Sequence, residues 1–421
     1  MSASSLQIIH GRVVDPASGT DAEMPVYVER GRIVGLGTKP EGFEPAQTID
    51  AKGWVVAPGL VDLSARGLHS RQEQAAALAG GVTTVCCPPD TQPPLDEPDL
   101  VESLRQQAER NGSPRVLPIG ALTSGLRGET LAELAALKQA GCIAFSQAGR
   151  ACADNRTLRR AMQYAATYGY ALWLQPEDRT LAAEGVAHDG EVASRLGLSG
   201  IPVSAETVGL YTMIELARET GVRLHFTRLS SAEGVAIVRA AQSRGLPVSS
   251  DVSIHHLHFS DADIGFFNTA ARLTPPLRAP ADRAALAEAT AHGGIDAICS
   301  DHSPVTDDGK LLPFGEAKPG ATAIELLLPL TLAWAATQKQ PLARALSRIT
   351  QDPARIAGIS AGRIEVGQWA DLCLFDPDAS WQVTPDELAS RGKHTLCAGQ
   401  TLRGRVQMTL LSGKTVFNRS A

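Results

Sequence analysis

The sequence has few aromatic residues, no excess of positive charge and no long apolar run. Phe, Trp and Tyr make up 5% of its 421 residues, and the formal net charge is −6 at pH 7. Nucleic-acid binding depends on the neutralisation of phosphates by Lys and Arg, so this balance argues against such a partner. No apolar stretch reaches the roughly 18 residues of a membrane span, so we expect no membrane partner either.

Cysteine is sparse and follows no metal or redox pattern. The chain has seven cysteines, an odd number, and no two of them are spaced as Cys-x-x-Cys. Cys142, Cys299 and Cys373 lie in apolar runs, which predicts buried, reduced thiols. The N-terminal residues show no basic segment followed by an apolar run, so we expect no signal peptide and a cytoplasmic location.

The middle of the chain predicts a barrel of alternating strands and helices. Eight short apolar runs alternate there with segments of helical periodicity. The runs lie at residues 57–62, 82–87, 115–119, 142–145, 171–174, 223–227, 246–250 and 296–300. Eight strand–helix repeats over about 300 residues predict an α/β fold with a (β/α)8 TIM barrel.

Polar residues mark the start of two predicted helices. Asp154 and Ser204 each precede apolar residues spaced three to four apart. Such a residue accepts hydrogen bonds from the first backbone N–H groups of a helix. We therefore predict N-caps at both positions.

Both ends of the chain have the pattern of short strands instead of helices. The first 55 residues alternate apolar and polar side chains between Gly-containing turns, and this pattern returns from about Gly362. We predict that residues 1–55 and 361–421 form one small β-sandwich domain together. The barrel then occupies residues 56–360.

Five segments, most of them at the predicted strand ends, carry recognisable motifs: Pro58–Arg66, Pro88–Pro93, Leu273–Arg278, Asp301–Pro304 and Gly362–Leu372. They resemble the corresponding segments of dihydroorotases and their allantoinase and hydantoinase relatives, in the amidohydrolase superfamily. Together they extend over nearly the whole chain. The resemblance implies a barrel of amidohydrolase type, with its site at the carboxyl ends of the strands.

The resemblance also implies six metal-ligand positions, and five of them carry other residue types. Ser64 and Arg66 stand where the family has His-x-His after the first strand. The other replacements are Gln147 or Ala148 after the fourth strand, Gln175 after the fifth and Arg228 after the sixth. Arginine keeps its proton at any working pH and repels a divalent cation. Asp301 alone keeps the ligand type, whereas catalytic zinc uses about three protein ligands.

The sequence leaves the roles of two groups of side chains undecided. His255, His256 and His258 could bind an adventitious metal, although the resemblance places a similar His-containing run in relatives that also have their six ligands. A vestigial pocket could bind a small molecule, as a sensor does. It lacks the substrate-binding arginine and asparagine of the family, because Leu68 and Asp90 occupy their positions. The candidate pocket residues are Asp90, Glu177, Asp301 and His302.

The replaced ligands predict that the chain is not an enzyme but a pseudoenzyme without metal, cofactor or catalytic residue. The resemblance then implies a non-catalytic dihydroorotase-like subunit in pyrimidine biosynthesis. Its partner is the catalytic subunit of aspartate carbamoyltransferase, and the chain is expected to be a homodimer within a larger hetero-oligomer. The alternative is a metal-independent or altered-specificity cyclic amidohydrolase, dihydroorotase- or allantoinase-like, with Asp301, His302 or Glu177 as its acid or base.

A final hypothesis concerns the two arginines at metal-ligand positions. Arg66 and Arg228 are long enough to fill the volume that lost ligands leave. Either can pair with Asp301 and so compensate a buried carboxylate. We therefore predict ion pairs between these residues.

Overall fold

The structure is a barrel of eight strands joined to sheets from both chain ends. The computed structural model describes residues 5–110 and 112–420. The strands described are β1 (Ser5–Ile9), β2 (Arg12–Asp15), β3 (Thr20–Glu23), β4 (Val26–Glu29), β5 (Arg32–Leu36), β6 (Gln47–Asp50), β7 (Val55–Pro58), β8 (Leu60–Asp62), β9 (Val82–Cys87), β10 (Arg115–Ala121), β11 (Ala144–Ser146), β12 (Ala171–Leu174), β13 (Ala187–His188), β14 (Gly200–Ile201), β15 (Arg223–Phe226), β16 (Val248–Ser253), β17 (Ala297–Cys299), β18 (Leu372–Gln382), β19 (Thr401–Leu411) and β20 (Lys414–Asn418).

Helices follow most of the barrel strands. The α-helices described are α1 (Arg71–Ala79), α2 (Pro98–Arg110), α3 (Leu134–Ala140), α4 (Asn155–Thr167), α5 (Arg179–Ala182), α6 (Glu191–Leu196), α7 (Val203–Thr220), α8 (Ala232–Ser243), α9 (Ile254–His258), α10 (Pro280–His292), α11 (Asp307–Lys310), α12 (Leu327–Thr337), α13 (Leu342–Ser347) and α14 (Gln351–Ala357). Short 3₁₀ segments lie at Ser124–Leu126, Asp261–Ile264, Thr269–Ala271, Ile324–Leu326 and Pro385–Glu387.

The barrel strands are parallel and follow one another around the sheet in chain order. That order is β8, β9, β10, β11, β12, β15, β16 and β17. Beyond the ends of β8 and β17, Ala65 and His302 form a parallel bridge, and the Arg66 N–H donates to the His302 carbonyl at 2.8 Å. Each of the eight predicted runs overlaps a barrel strand. The predicted α/β fold with a TIM-type barrel is confirmed.

The inside of the barrel is filled by side chains from successive strands. The buried cluster there is Leu63, Cys86, Ile119, Ala144, Trp173, Ala297 and Cys299. A filled barrel has no channel through it, so a functional site lies at one end of the strands. In this fold that end is the carboxyl end, where the loops carry the functional side chains.

The two chain ends meet in a pair of β sheets. One sheet has the order β5, β4, β1, β6, and the other has the order β20, β19, β18, β7, β2, β3. Leu372 of β18 is antiparallel to Pro58 of β7, which joins the C-terminal strands to the N-terminal ones. Ile8, Val56 and Leu374 belong to a buried cluster that both sheets share. The predicted limits of the small domain, 1–55 and 361–421, and of the barrel, 56–360, stay a prediction.

One of the two predicted helix starts is confirmed and the other is wrong. The Asp154 Oδ1 atom accepts from the Thr157 N–H at 2.7 Å and caps α4. The helix α7 begins at Val203, one residue before Ser204, and its N-cap is Pro202. The φ of Pro202 is fixed by its ring, so the chain turns into the helix there without a side-chain cap.

The cysteines and the helices have the properties that the composition predicts. All seven cysteines are free, and all but Cys152 are buried. Burial in apolar surroundings keeps a thiol protonated and unreactive. None of the helices in residues 5–110 and 112–420 is long and apolar enough to cross a membrane.

Candidate functional site

Asp301 lies just after β17 and holds two arginines. Its Oδ1 atom accepts from the Arg228 Nη1 at 3.0 Å and from the Arg66 Nη1 at 3.3 Å. The side chains of Asp301 and Arg228 are 6% and 7% exposed. The backbone of Asp301 has φ +49°, a conformation that costs free energy for any residue except glycine. The structure thus contains the ion pairs that we hypothesised for these three residues.

Arg66 extends this arrangement to the end of the second barrel strand. Its Nε donates to the Asp90 Oδ2 at 2.8 Å, and its Nη1 lies 3.2 Å from the Ser303 hydroxyl. Burial works against the charged guanidinium, but the carboxylates of Asp90 and Asp301 outweigh it and raise the pKa of Arg66. The four charged side chains together are neutral, because two carboxylates face two guanidiniums. We call Asp90, Arg66, Asp301 and Arg228 the strand-end network.

Arg228 connects the strand-end network to the fifth barrel strand, β12. Its Nη2 donates to the Gln175 Oε1 at 2.5 Å, and its Nη1 donates to the Thr274 carbonyl at 3.0 Å. The Arg228 backbone N–H donates to the Asp251 Oδ1 at 2.7 Å, which holds the residue at φ +58°. A guanidinium has donors only, so each of these partners must accept.

Gln147 occupies the corresponding place after β11. Its Oε1 atom accepts from the Thr123 hydroxyl at 3.0 Å, and its side chain is buried. The next residue, Ala148, is half-buried and has φ +50°. The Nε2 atoms of Gln147 and Gln175 are both buried and have no hydrogen-bond partner among the described residues. Two amide donors are therefore left over at neighbouring strand ends.

His302 is engaged on both sides of its ring. Its Nδ1 accepts from the Ala323 N–H at 3.2 Å, which leaves the proton on Nε2. That Nε2 lies 3.0 Å from the Glu73 Oε2, and the His302 side chain is fully buried. Because both nitrogens are used within the fold, His302 is a structural residue and not an acid or base of an open site.

The three neighbouring histidines lie on the short helix α9 that follows β16, and not on a strand. His256 Nε2 is 3.1 Å from the Pro276 carbonyl, and His258 Nε2 is 2.9 Å from the Leu330 carbonyl. Neither ring nitrogen of His255 has a partner among the described residues. Burial lowers the pKa of all three to about 4. These rings are neutral and point to no common ligand.

The strand ends do not fit the divalent-cation site that the family resemblance implies. In residues 5–110 and 112–420, no three His, Cys, Asp or Glu side chains group so that they could hold a metal ion. Asp301, the one carboxylate at a ligand position, already binds two guanidiniums, whose charge repels a metal. The residues present therefore support no catalytic step through a strand-end metal.

Two buried carboxylates below the strand ends were missed by the sequence reasoning. Asp62 accepts from the backbone N–H groups of Ser300 and Ser64 at 2.9 and 3.2 Å, and burial raises its pKa to about 6. Glu206 of α7 accepts from the backbone and hydroxyl groups of Ser230 and Ser231 at 2.5–3.1 Å. An acidic residue in a run of apolar neighbours, as at Asp62, is the signal that could have found the first.

A cavity of about 680 Å³ lies beside the strand ends of β11 and β12. It is lined by Gln147, Gln175 and Glu177 among others. Burial raises the pKa of the Glu177 carboxyl, and the charges of Arg179, Arg278 and Arg228 oppose that rise. The volume is within the usual range of small-molecule sites.

The four residues of the predicted vestigial pocket do not line one pocket. The structure joins Asp90 to Asp301 through Arg66, and it places His302 against Glu73 instead. Glu177 lies at the separate cavity. The loops after the strands determine where these four side chains lie. The residue types at the strand ends do not predict those positions.

Comparison with known proteins shows the family of the chain. The family model described as Dihydro-orotase-like matches residues 53–234, and the one described as Amidohydrolase family matches residues 181–417. A "Dihydroorotase-like protein" of Pseudomonas aeruginosa is 43% identical over 97% of this chain and 98% of its own length. A "Dihydroorotase" of Anaeromyxobacter dehalogenans is 38% identical over 96% of both chains. The chain belongs to the dihydroorotase-like amidohydrolase family.

Solved structures of hydantoinases have the same fold. An L-hydantoinase (dihydropyrimidinase) from Arthrobacter aurescens superposes with a TM-score of 0.85 at 23% identity, covering 98% of this chain and 96% of its own. A D-hydantoinase from a Thermus species superposes with a TM-score of 0.84 at 20% identity, covering 99% and 96%. At these identities the likeness establishes the fold of this family member.

The expectation that this family member is not an enzyme is wrong. Its relatives of 34–38% identity are named dihydroorotase, and its structural neighbours are hydantoinases, all of them cyclic amidohydrolases. That prediction interpreted the replacement of five metal-ligand residues as a loss of activity. Residue type at a ligand position does not decide this, because acid–base groups such as Glu177 lie beside a cavity elsewhere.

Proposed function

We propose that this dihydroorotase-like protein assembles with the catalytic subunit of aspartate carbamoyltransferase in pyrimidine biosynthesis. It does so in the cytoplasm, as a homodimer within a larger hetero-oligomer. The observation that carries the proposal is the strand-end network. Arg66 and Arg228 tie four barrel strand ends together through Asp90 and Asp301. Protein groups alone hold these ends in place, which suits a subunit whose shape must persist within an assembly.

Exposed apolar side chains on two adjoining segments support the proposal. They are Phe266, Leu311 and Leu312, which are 92%, 80% and 42% exposed. The two segments that carry them are held together because the Lys310 Nζ donates to the Thr269 carbonyl at 2.7 Å, and the Thr269 hydroxyl donates to the Lys310 carbonyl at 2.8 Å. Large exposed apolar side chains on fixed segments are typical of protein interfaces. We refer to these three residues as the Phe266–Leu311 surface.

Co-expression with the transferase catalytic subunit of the same organism tests the assembly. We expect the two chains to elute as one species in size-exclusion chromatography with light scattering. The double variant Phe266→Ser/Leu311→Ser should elute apart from the transferase, because the apolar contact is lost. Val366→Ser, which removes a side chain that is 57% exposed outside this surface, is the matched control and should co-elute. Separate elution of the unmodified chains would contradict the proposal.

A second candidate function is turnover of a cyclic amide with altered specificity, in keeping with the family. The observation that favours it is Glu177 at the cavity, since burial raises the pKa of its carboxyl. A carboxylic acid with a raised pKa keeps its proton to higher pH than an ordinary carboxyl group, and it can protonate a leaving amide nitrogen. Assembly and turnover are separate properties, and one chain can have both.

Turnover through Glu177 has a defined pH dependence. A group that acts as an acid must be protonated, so activity should fall as pH rises through the raised pKa of Glu177. Glu177→Gln should lower the rate by about a hundredfold or more, whereas Glu191→Gln, an exposed control, should leave it unchanged. The measurement is ring opening of dihydroorotate, hydantoin and dihydrouracil by ultraviolet absorbance. No turnover of any of the three would reject this candidate and leave the assembly proposal standing.

A further inference from the structure

Two neighbouring cations, Lys310 of α11 and Arg272, are withdrawn from water without a counterion. Lys310 is 3% exposed, and Arg272 is half-buried. The Lys310 Nζ lies 3.5 Å from the Arg272 carbonyl. In residues 5–110 and 112–420, neither side chain forms an ion pair with a carboxylate. A buried charge without an opposite charge is costly, so the pair indicates an anion that belongs beside it.

Several hydrogen-bond donors of the two cations also lack a good acceptor. The Lys310 Nζ donates to the Thr269 carbonyl at 2.7 Å, and its contact with the Arg272 carbonyl is long. The Arg272 Nε is buried and has no partner among the described residues, and its Nη1 lies 3.5 Å from the Leu273 carbonyl. An ammonium has three donors, a guanidinium has five, and neither can accept. A ligand for this pair must therefore supply acceptors.

A third cation, Lys318, lies next to the pair. Its backbone N–H donates to the Gly309 carbonyl at 2.9 Å. Its side chain passes over Gly309, with the Cδ atom 3.1 Å from the place that a Cβ atom on this glycine would take. Lys318 is exposed, so an ion from solution meets this charge first.

The acidic side chains of the same segment do not neutralise the buried charge. The Asp307 Oδ1 atom lies 2.9 Å from the His394 Nε2 and is engaged there. Asp308 and Glu316 are exposed. Burial lowers the pKa of Lys310 to about 8, the charge of Arg272 adds to this fall, and no carboxylate among the described residues opposes it. The local balance of charge therefore favours an anion.

We propose that Lys310, Arg272 and Lys318 bind a phosphate group. Such a group carries between one and two negative charges near neutral pH and has three strong acceptor oxygens. It can accept from an ammonium and a guanidinium at once, and hydrogen bonds between oppositely charged groups are the strong ones. None of the three residues belongs to the strand-end network or lines the cavity beside β11 and β12. The site goes beyond the proposed function, because neither assembly nor turnover requires it.

Equilibrium dialysis of the full chain against radiolabelled inorganic phosphate tests the site, with ionic strength held constant by sodium chloride. We expect one phosphate per chain, with a Kd of about 1 mM or below. Arg272→Met and Lys310→Met should each weaken binding at least about tenfold. Both variants should fold, because neither leaves a carboxylate without its partner. Lys138→Met, which removes an exposed cation of α3, is the matched control and should bind like the unmodified protein.

Competition by phenyl phosphate distinguishes two sources of the phosphate group. Displacement of the label at a similar concentration would support a site for the end group of a phosphorylated small molecule. A failure to displace it would support a site for free inorganic phosphate.

Three outcomes would overturn the site. One is the absence of saturable binding up to about 20 mM phosphate, far above the range of specific ligands. Another is unchanged affinity in both methionine variants while their thermal unfolding is normal, which would mean an adventitious ion only. The third is equal weakening in Lys138→Met, because net charge alone would then account for the effect. None of these results bears on co-elution with the transferase, so the two proposals fail independently.

Discussion

Replacing Asp301 with alanine should lower the free energy of unfolding by about 3–5 kcal/mol. The substitution leaves the Arg228 guanidinium buried without a carboxylate, and it removes one of the two carboxylates that face Arg66. An uncompensated buried charge is among the most destabilising changes that a single substitution can make. Urea and thermal unfolding followed by circular dichroism measure the effect.

Two further variants separate charge from packing in that result. Asp90→Ala should cost much less, because the Asp90 side chain is 23% exposed and water can take its place beside Arg66. The double variant Asp301→Ala/Arg228→Met should regain part of the loss, since it removes the unpaired cation. An Asp301→Ala protein with an unchanged melting temperature would show that the strand-end network contributes nothing to stability.

Replacing Glu73 with alanine should lower the free energy of unfolding by about 3 kcal/mol at neutral pH. Glu73 of α1 accepts from the His302 Nε2 at 3.0 Å, the Ser390 hydroxyl at 2.7 Å and the Arg391 N–H at 2.9 Å. These bonds join the first barrel helix to the strand-end segment after β17 and to the segment between β18 and β19. Alanine leaves the buried donors of His302 and Ser390, and the partly buried N–H of Arg391, without their acceptor.

The loss in Glu73→Ala should shrink as the solution becomes acidic. Burial raises the pKa of Glu73, but the hydrogen bonds from His302, Ser390 and Arg391 outweigh it, so the pKa is lowered in the folded state. A lowered carboxyl pKa stabilises the fold above the ordinary carboxyl pKa, and this stabilisation is lost as pH falls through the folded value. Denaturant unfolding in steps from neutral to acidic pH measures the difference from the unmodified protein.

A control on the neighbouring helix shows whether the effect is specific. Glu102→Ala on α2 removes an exposed carboxylate and should change the free energy of unfolding by less than about 0.5 kcal/mol. A Glu73→Ala loss that stays constant over the whole pH range would mean that packing, and not the carboxylate, produces it.

The sequence by itself determined the architecture, because the barrel depends on periodic patterns that are local in the chain. Eight apolar runs separated by helical segments predict eight parallel strands, and each run overlaps one. The cap at Asp154 was also readable, since a cap bonds to a residue three positions away. Ser204 was misplaced by this same local reasoning, because a proline two residues earlier started the helix.

The tertiary structure decided how the site residues are combined. Asp301 meets Arg228 across 73 residues and Arg66 across 235, and His302 meets Glu73 across 229. The sequence allowed the first two pairs as a hypothesis but contained no sign of the third. It also showed Gln147 and Gln175 only as replaced ligands, whereas their free amide groups arise from partners on other strands and loops. Residue types at strand ends are local properties, but charge compensation and unpaired donors depend on contacts made when the whole barrel has closed.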